Sequence, residues 1–275
     1  IKITAEVAKN LGLTLETVYM GGGTPTTLSP EQLHKVLQTV KDNFDLSNVR
    51  EYTVEAGRPD TITEEKLAVC KRYGVTRISV NPQSLSDAVL ENIGRKNLTL
   101  ESFAEIDAKF TAAGVPTYTE LILGLPGETF ETFCNGICTL LEKGQNNSMT
   151  VYDCQVYPNT AVGNKEYQQK FGIKTSVIPQ LGIHFTPELN GVQEYIEIIT
   201  ETATMPKKDW VKACMFAVVL QTFHHLGLLR YFAIYLHNEK GISYHEFYNR
   251  LFGYIYKESN GFVHDFFVSL ANRKY

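Results

Sequence analysis

Three consecutive glycines, Gly21-Gly22-Gly23, stand directly after a short apolar run and ahead of Thr24-Pro25-Thr26. Where a strand ends, the loss of every Cβ lets the backbone take positive φ and lets a ligand approach its N–H and C=O groups closely. A turn of this kind could hold a phosphate. The chain has neither the GxxxxGK[ST] spacing of a phosphate-binding loop nor the GxGxxG spacing of a dinucleotide fold, however, and alone the triplet also fits a tight turn. Other special residues close later apolar runs: Glu55-Ala56-Gly57, Asn81-Pro82-Gln83 and Gly124-Leu125-Pro126-Gly127.

The thiols and imidazoles offer less. Cys70, Cys134, Cys138, Cys154 and Cys214 are odd in number and scattered. A disulfide framework is therefore not expected, and a reducing, cytoplasmic setting is. Cys134 and Cys138 are spaced i, i+4 on a predicted helix, which gives two ligands at most, and they read as structural thiols. The adjacent His224-His225 invite a metal reading, but helical neighbours point about 100° apart. They read as structural or capping residues. The aromatic run 244–256 could line a substrate pocket, though helix core is the first reading.

The elements that must position these residues recur along the chain. Five strand-like runs, at 16–20, 51–55, 77–80, 117–123 and 150–156, have the β-branched content of strands buried in a parallel sheet. Ser29-Pro30-Glu31-Gln32 predicts a capping box with proline at the first helical position, opening a helix to about Asn43. Further helices are predicted over 61–73, 99–113 and 129–143, each stopped by a glycine (Gly74, Gly114, Gly144). This is α/β with parallel strands, and the special residues lie at strand C-terminal ends. Ligands sit there in a barrel and in an open doubly wound sheet alike, and the spacing does not separate the two.

At 275 residues, 43% hydrophobic and 20% charged, the chain can bury a sizeable core. A net charge of −4 gives no reason to expect a nucleic acid or an anionic membrane as partner, and no apolar run approaches the roughly 20 residues that span a bilayer. A small-molecule substrate is the partner expected. Ile1 is not an initiator methionine and 1–13 already reads as a helix stopped by Gly12, so the chain is expected to open within a fold, as a fragment would. Residues 159–206 read as a loop-rich connection with short elements. From Lys207 the chain reads as helical, with Val211, Cys214, Met215, Val218, Val219, Thr222, Phe223 and Leu226 in an i, i+3/i+4 stripe. Half of the 15 Phe and 15 Tyr lie in that last quarter, so it must pack on something. The expected organisation is residues 1–158, 159–206 and 207–275.

Four ordered motifs together resemble strands two to five of the radical S-adenosylmethionine (SAM) barrel. They are Gly21-Gly22-Gly23-Thr24-Pro25-Thr26; Tyr52-Thr53-Val54-Glu55-Ala56; Arg77-Ile78-Ser79-Val80-Asn81-Pro82-Gln83-Ser84; and Glu120-Leu121-Ile122-Leu123-Gly124-Leu125-Pro126-Gly127-Glu128. Over residues 1–156 the chain is most similar to the oxygen-independent coproporphyrinogen III dehydrogenase family in its HemN and HemZ forms, which serves porphyrin biosynthesis. Residues 118–172 and the helical end, in Trp210-Val211-Lys212-Ala213 and Ala233-Ile234-Tyr235-Leu236, look more like cobalamin-binding radical SAM proteins, often methyltransferases.

The resemblance implies roles. The backbone of Gly21, Gly22, Gly23 and Thr24 would receive the amino and carboxylate groups of the methionine part of SAM. Glu55 matches an acidic residue on the methionine or ribose part, and Gln83 an amide facing SAM. Arg95, in Ile93-Gly94-Arg95-Lys96, matches an arginine pairing with the SAM carboxylate. Glu120 stands where the family usually has Asp, a ribose contact, and is one methylene longer. Other readings stay open. Glu55 and Glu120 also fit solvated rim residues or ion-pair partners, Gln83 a loop-satisfying amide, and Arg95 a helix-end charge. The Gly124–Gly127 turn reads as architectural.

The implied cofactors are SAM and a [4Fe–4S] cluster held by three thiolates of a CxxxCxxC loop, which together generate a 5′-deoxyadenosyl radical. No CxxxCxxC occurs in the sequence. The expected fold is thus a partial (β/α)6 radical SAM barrel, strands two to six, with a C-terminal helical region. The expected activity is that of an oxidoreductase like the coproporphyrinogen III dehydrogenases, with this chain alone inactive without the cluster loop. A cobalamin-dependent radical methyltransferase and a cluster-free SAM-fold binding module are the alternatives.

Overall fold

The computed structural model describes residues 1–56, 61–95, 99–180, 193–258 and 260–273. Gly57 and Lys96, each part of a motif quoted above, lie outside the described residues.

The alternation predicted from sequence forms with small shifts at the ends. Helix α1 (Lys2–Asn10) leads to β1 (Thr17–Met20), and a 3-10 turn (Pro25–Thr27) leads to α2 (Pro30–Asn43). Then follow β2 (Glu51–Val54), α3 (Glu64–Arg72), β3 (Arg77–Ser79), α4 (Asp87–Asn92), α5 (Leu100–Ala112), β4 (Thr117–Leu123), α6 (Phe130–Glu142) and β5 (Met149–Asp153). The helix starts follow from side-chain caps. Ser29 and Gln32 form the predicted reciprocal box, while Thr63 and Thr99 accept from the backbone N–H three residues on. Helices α3, α5 and α6 stop at Gly74, Gly114 and Gly144, whose N–H groups bond back to Lys71, Thr111 and Leu141.

The five strands lie in the order β1-β2-β3-β4-β5, with β1 to β4 paired parallel. Sequence order without reversal is the arc of a barrel, since a doubly wound sheet reverses its order at a switch point. The fold is α/β with a parallel sheet that does not close among the described residues.

By compactness the chain divides into two units, one of residues 1–83, 97–120 and 140–150 and another of 84–96, 121–139 and 151–275. In the first, alternate strand residues Tyr52, Val54 and Ile78 pack with Leu33, Leu37, Cys70 and Phe110 under the helices. The opposite strand face carries the polar residues. The second unit contains what sequence reading took as loop. After a 3-10 turn, α7 (Lys165–Phe171) is capped by Asn164, and β6 (Lys174–Pro179) pairs antiparallel with β7 (Tyr195–Glu201). Its period-two pattern is faint because β6 is half-exposed on both faces.

The helical end comprises α8 (Lys207–Leu220), α9 (Arg230–Lys240), α10 (Tyr244–Gly253) and α11 (Phe262–Arg273), with π-helical turns extending α8 over Gln221–His225 and α10 over Tyr254–Glu258. Trp210, Ala213, Cys214, Phe216 and Val219 of α8 are buried. Among the described residues no single helix is long and apolar enough to cross a membrane; α8 and α9 reach that length only as a pair bent by 87°.

His224 is fully buried and shares a 2.7 Å hydrogen bond with the Tyr248 hydroxyl, while Arg230 Nε donates to its carbonyl at 2.9 Å. Burial, and then His225 and Arg230, press its pKa down to about 3. A neutral buried imidazole stabilises the fold fully above the unfolded pKa of about 6.5, and that contribution is lost as pH falls through 6.5 toward 3. Denaturant titration at pH 7.5 and pH 5 should therefore show about 2 kcal/mol lost from this residue, a loss absent in His224→Gln.

Candidate functional site

The turn after β1 is built around Glu55. Its carboxylate Oε2 accepts from the Gly22 N–H at 3.1 Å, and Glu55 N–H itself donates to the Met20 carbonyl at 2.9 Å. This carries the β1–β2 register one step past the strands. A Cβ on Gly21 would overlap the Tyr19 ring and lie 2.9 Å from Glu55 Oε2. Gly22 takes φ +113°, which an L side chain rarely adopts. Beside Gly22 and Gly23 an added Cβ would meet nothing within 4 Å. Glycine is thus favoured at Gly21 by the close approach of two side chains and at Gly22 by conformation, and both Gly22 and Gly23 border open space.

Sequence reasoning missed the residue that anchors the far side of this turn. Lys66 Nζ, on α3, donates to the carbonyls of Thr26 (2.6 Å) and Thr61 (2.8 Å), and the Thr26 and Thr61 hydroxyls lie 2.5 Å apart. The spacing of a lysine forty residues downstream gives no signal of that contact.

Glu120 is held as tightly. Asn81 Nδ2 donates to Glu120 Oε2 at 2.7 Å and to Ser79 Oγ at 3.2 Å, while Asn81 Oδ1 accepts from Glu120 N–H at 3.1 Å. Ser79 Oγ in turn accepts from Ala56 N–H at 3.0 Å. One buried asparagine therefore ties the ends of β2, β3 and β4 together. It stood in the quoted motif, but no role was assigned to it. Gln83 follows with φ +69°, the one non-glycine at positive φ among the described residues. Such a conformation costs about 1 kcal/mol or more, and residues held that way cluster at ligand sites.

Tyr19 stands on β1 just ahead of the glycine turn. Its pKa is raised first by burial, and Glu55 and Glu120 both add to the rise, against the Tyr118 hydrogen bond and Arg77. Arg77 lies 4.2 Å from the centre of the Tyr118 ring and 3.3 Å from Glu51 Oε1. The structure so brings together Gly21, Gly22 and Glu55 at the turn, while Glu120 is held by Asn81 on β4. The turn offers exposed backbone beside the Glu55 carboxylate, groups suited to an ammonium and hydroxyls.

Arg95 belongs to the second unit. Its N–H donates to the Leu90 carbonyl at 2.8 Å and closes α4 beside Gly94. Gly124 and Gly127, also there, are architectural as expected. A Cβ on Gly124 would fall 3.1 Å from the Ile199 carbonyl, and one on Gly127 would strike Asn92, whose amide donates to the Pro126 carbonyl at 3.0 Å. Glu128, the last residue of that motif, is 1% exposed and accepts from Ser84 Oγ (2.6 Å) and Thr132 Oγ1 (2.5 Å), with burial raising its pKa. Glu128→Ala should destabilise by about 2–4 kcal/mol in denaturant titration, by removing the carboxylate that accepts from the buried Ser84 hydroxyl and leaving a void, and Glu128→Gln by about 1 kcal/mol.

The cysteines do not assemble. All five are buried, and burial pushes Cys70 and Cys154 up to about 12 and raises Cys134 as well. No group of three or more His, Cys, Asp or Glu among the described residues could hold a metal ion.

Residues 1–135 match the family model described as Radical SAM superfamily. SAM and a [4Fe–4S] cluster are its cofactors. The chain is 35% identical over 176 residues to the cobalamin-dependent radical SAM methyltransferase TokK of Streptomyces tokunonensis, covering 64% of this chain and 26% of that protein. It is 40% identical over 148 residues to the oxygen-independent coproporphyrinogen-III oxidase-like protein HemZ of Bacillus subtilis, covering 54% and 29%. The fold resembles that of coproporphyrinogen III oxidase HemN from Escherichia coli, with TM-score 0.50 and 22% identity over 58% of this chain and 38% of that one. The matched part thus spans between a quarter and a third of the length of these two curated relatives.

The glycine turn fits SAM: the space beside Gly22 and Gly23 is open, and a carboxylate already oriented by a backbone N–H borders it. The cysteines do not fit the cluster.

Proposed function

We propose that the first unit holds SAM, with Gly21, Gly22, Gly23 and Thr24 on its methionine end, Glu55 on the ammonium or ribose, Gln83 alongside and Glu120 on the ribose. For Arg95 the proposed role is a planar fork for the SAM carboxylate. SAM supplies an adenosyl or methyl group to the chemistry of this superfamily. What these residues do is bind and orient it. The observation that carries the reading is the Gly22 N–H to Glu55 bond beside an open, side-chain-free turn. Isothermal titration with SAM tests it: one site per chain is expected, and absence of binding would defeat it.

For the whole protein, oxidative decarboxylation of a coproporphyrinogen-like substrate is the first reading, supported by 40% identity to HemZ over 148 residues. The match to TokK over a larger share of the chain favours a second, cobalamin-dependent methyl transfer. Separate titrations with coproporphyrin III and with hydroxocobalamin discriminate. Binding of the porphyrin alone supports the first, and binding of cobalamin alone the second.

A further inference from the structure

The second unit contains a cleft of about 440 Å³ along the first turns of α8, which the SAM reading does not use. Its walls are apolar and largely aromatic: Phe130, Val211, Met215, Phe252 and Tyr256. The rings continue into the core beneath. Phe130 meets Phe216 edge-on at 6.4 Å, Phe216 meets Phe252 at 5.6 Å, and Phe252 lies 4.8 Å from Tyr256. This backing fixes the walls, since such pairs prefer tilted contacts and resist collapse into the gap.

Its charge is of one sign. Lys208, Lys212 and Lys257 line the cleft, and none of the described lining residues carries a carboxylate. Lys208 and Lys212 are i, i+4 on one face of α8, an arrangement of like charges that costs a few tenths of a kcal/mol with nothing to neutralise it. Among the described residues none of the three forms an ion pair. Lys212 Nζ instead stands 3.7 Å from the centre of the Phe130 ring, so its ammonium already overhangs the apolar wall. An apolar cavity of several hundred Å³ with a few convergent charges is the usual form of a small-molecule site.

We propose that this cleft binds a small aromatic carboxylate, its ring body against Phe130, Phe252 and Tyr256 and its carboxylate among Lys208, Lys212 and Lys257. The carboxylate removes the repulsion between the lysines, and the rings remove apolar wall from water. A neutral ligand of the same shape gains only the second term.

The test uses 1-pyrenebutyrate and its neutral counterpart 1-pyrenebutanol, titrated by calorimetry against the intact chain. The acid is expected to bind one per chain and about tenfold tighter than the alcohol at low salt, the difference shrinking in high salt. Lys208→Gln with Lys212→Gln, both at exposed positions, should remove most of that tenfold difference without weakening the alcohol. Gly253→Leu should weaken both ligands about tenfold by filling the cleft. It should fold, because a Cβ on Gly253 meets nothing within 4 Å. Acid and alcohol binding equally, binding indifferent to Gly253→Leu, or no binding of the acid would each overturn the proposal.

Discussion

Glu55→Gln is expected to lower the affinity of the chain for SAM by roughly 10- to 100-fold while leaving its melting temperature within a few degrees of the parent. The two effects separate because of where the carboxylate sits. Toward the protein, Glu55 makes one bond of known geometry, from the Gly22 N–H at 3.1 Å, and a glutamine carbonyl can accept it equally well. Toward the open side it offers a full negative charge, which a cationic ammonium would meet in a charge-assisted bond. The amide loses that charge. Calorimetric titration with differential scanning calorimetry on the same samples reads both quantities. Equal loss of affinity and of stability would mean that Glu55 supports the turn and does not meet the ligand.

Gly21→Ala is expected to be the other large effect, at tenfold or more in SAM affinity. The new methyl group would overlap the Tyr19 ring and approach Glu55 Oε2 at 2.9 Å, so both side chains must move. Each can: the Tyr19 ring is 59% exposed, and the carboxylate is the far end of a flexible chain. The cost to the fold is therefore about 1 kcal/mol or less, at the low end of overpacking. The cost to binding is greater, because the displaced groups border the ligand space. If displacement is the cause, Tyr19→Ala combined with Gly21→Ala should recover part of the affinity, a coupling that independent sites would not show.

What could be read from residue order was whatever is local. Ser29 and Gln32 close a capping box three residues apart, and Gly74, Gly114 and Gly144 follow helices whose last turns they complete. The strands and their polar ends were visible because a parallel strand is a continuous apolar run broken by its functional residue. The contacts that shape the site were not visible, because they join residues from different β/α units. Lys66 reaching Thr26 and Asn81 reaching Glu120 depend on the order of strands in the sheet, which periodicity does not encode. The β6–β7 hairpin was hidden for another reason. With β6 half-exposed on both faces, its residues do not alternate cleanly enough to announce a strand. The cleft beside α8 was half legible: the aromatic run 244–256 could be read as pocket or core, and Phe252 and Tyr256 line the cleft while Tyr244 and Tyr248 are core.

On the proposed function, the glycine turn after β1 and the end of β2 receive SAM. Hydrogen–deuterium exchange with peptide resolution, with and without saturating SAM, addresses it without any substitution. Strong protection is predicted over residues 19–27 and 51–56, where the Gly22, Gly23 and Thr24 amides border the open space, with little change over α10 and α11. Saturable SAM binding that leaves exchange at both segments unchanged would contradict the assignment.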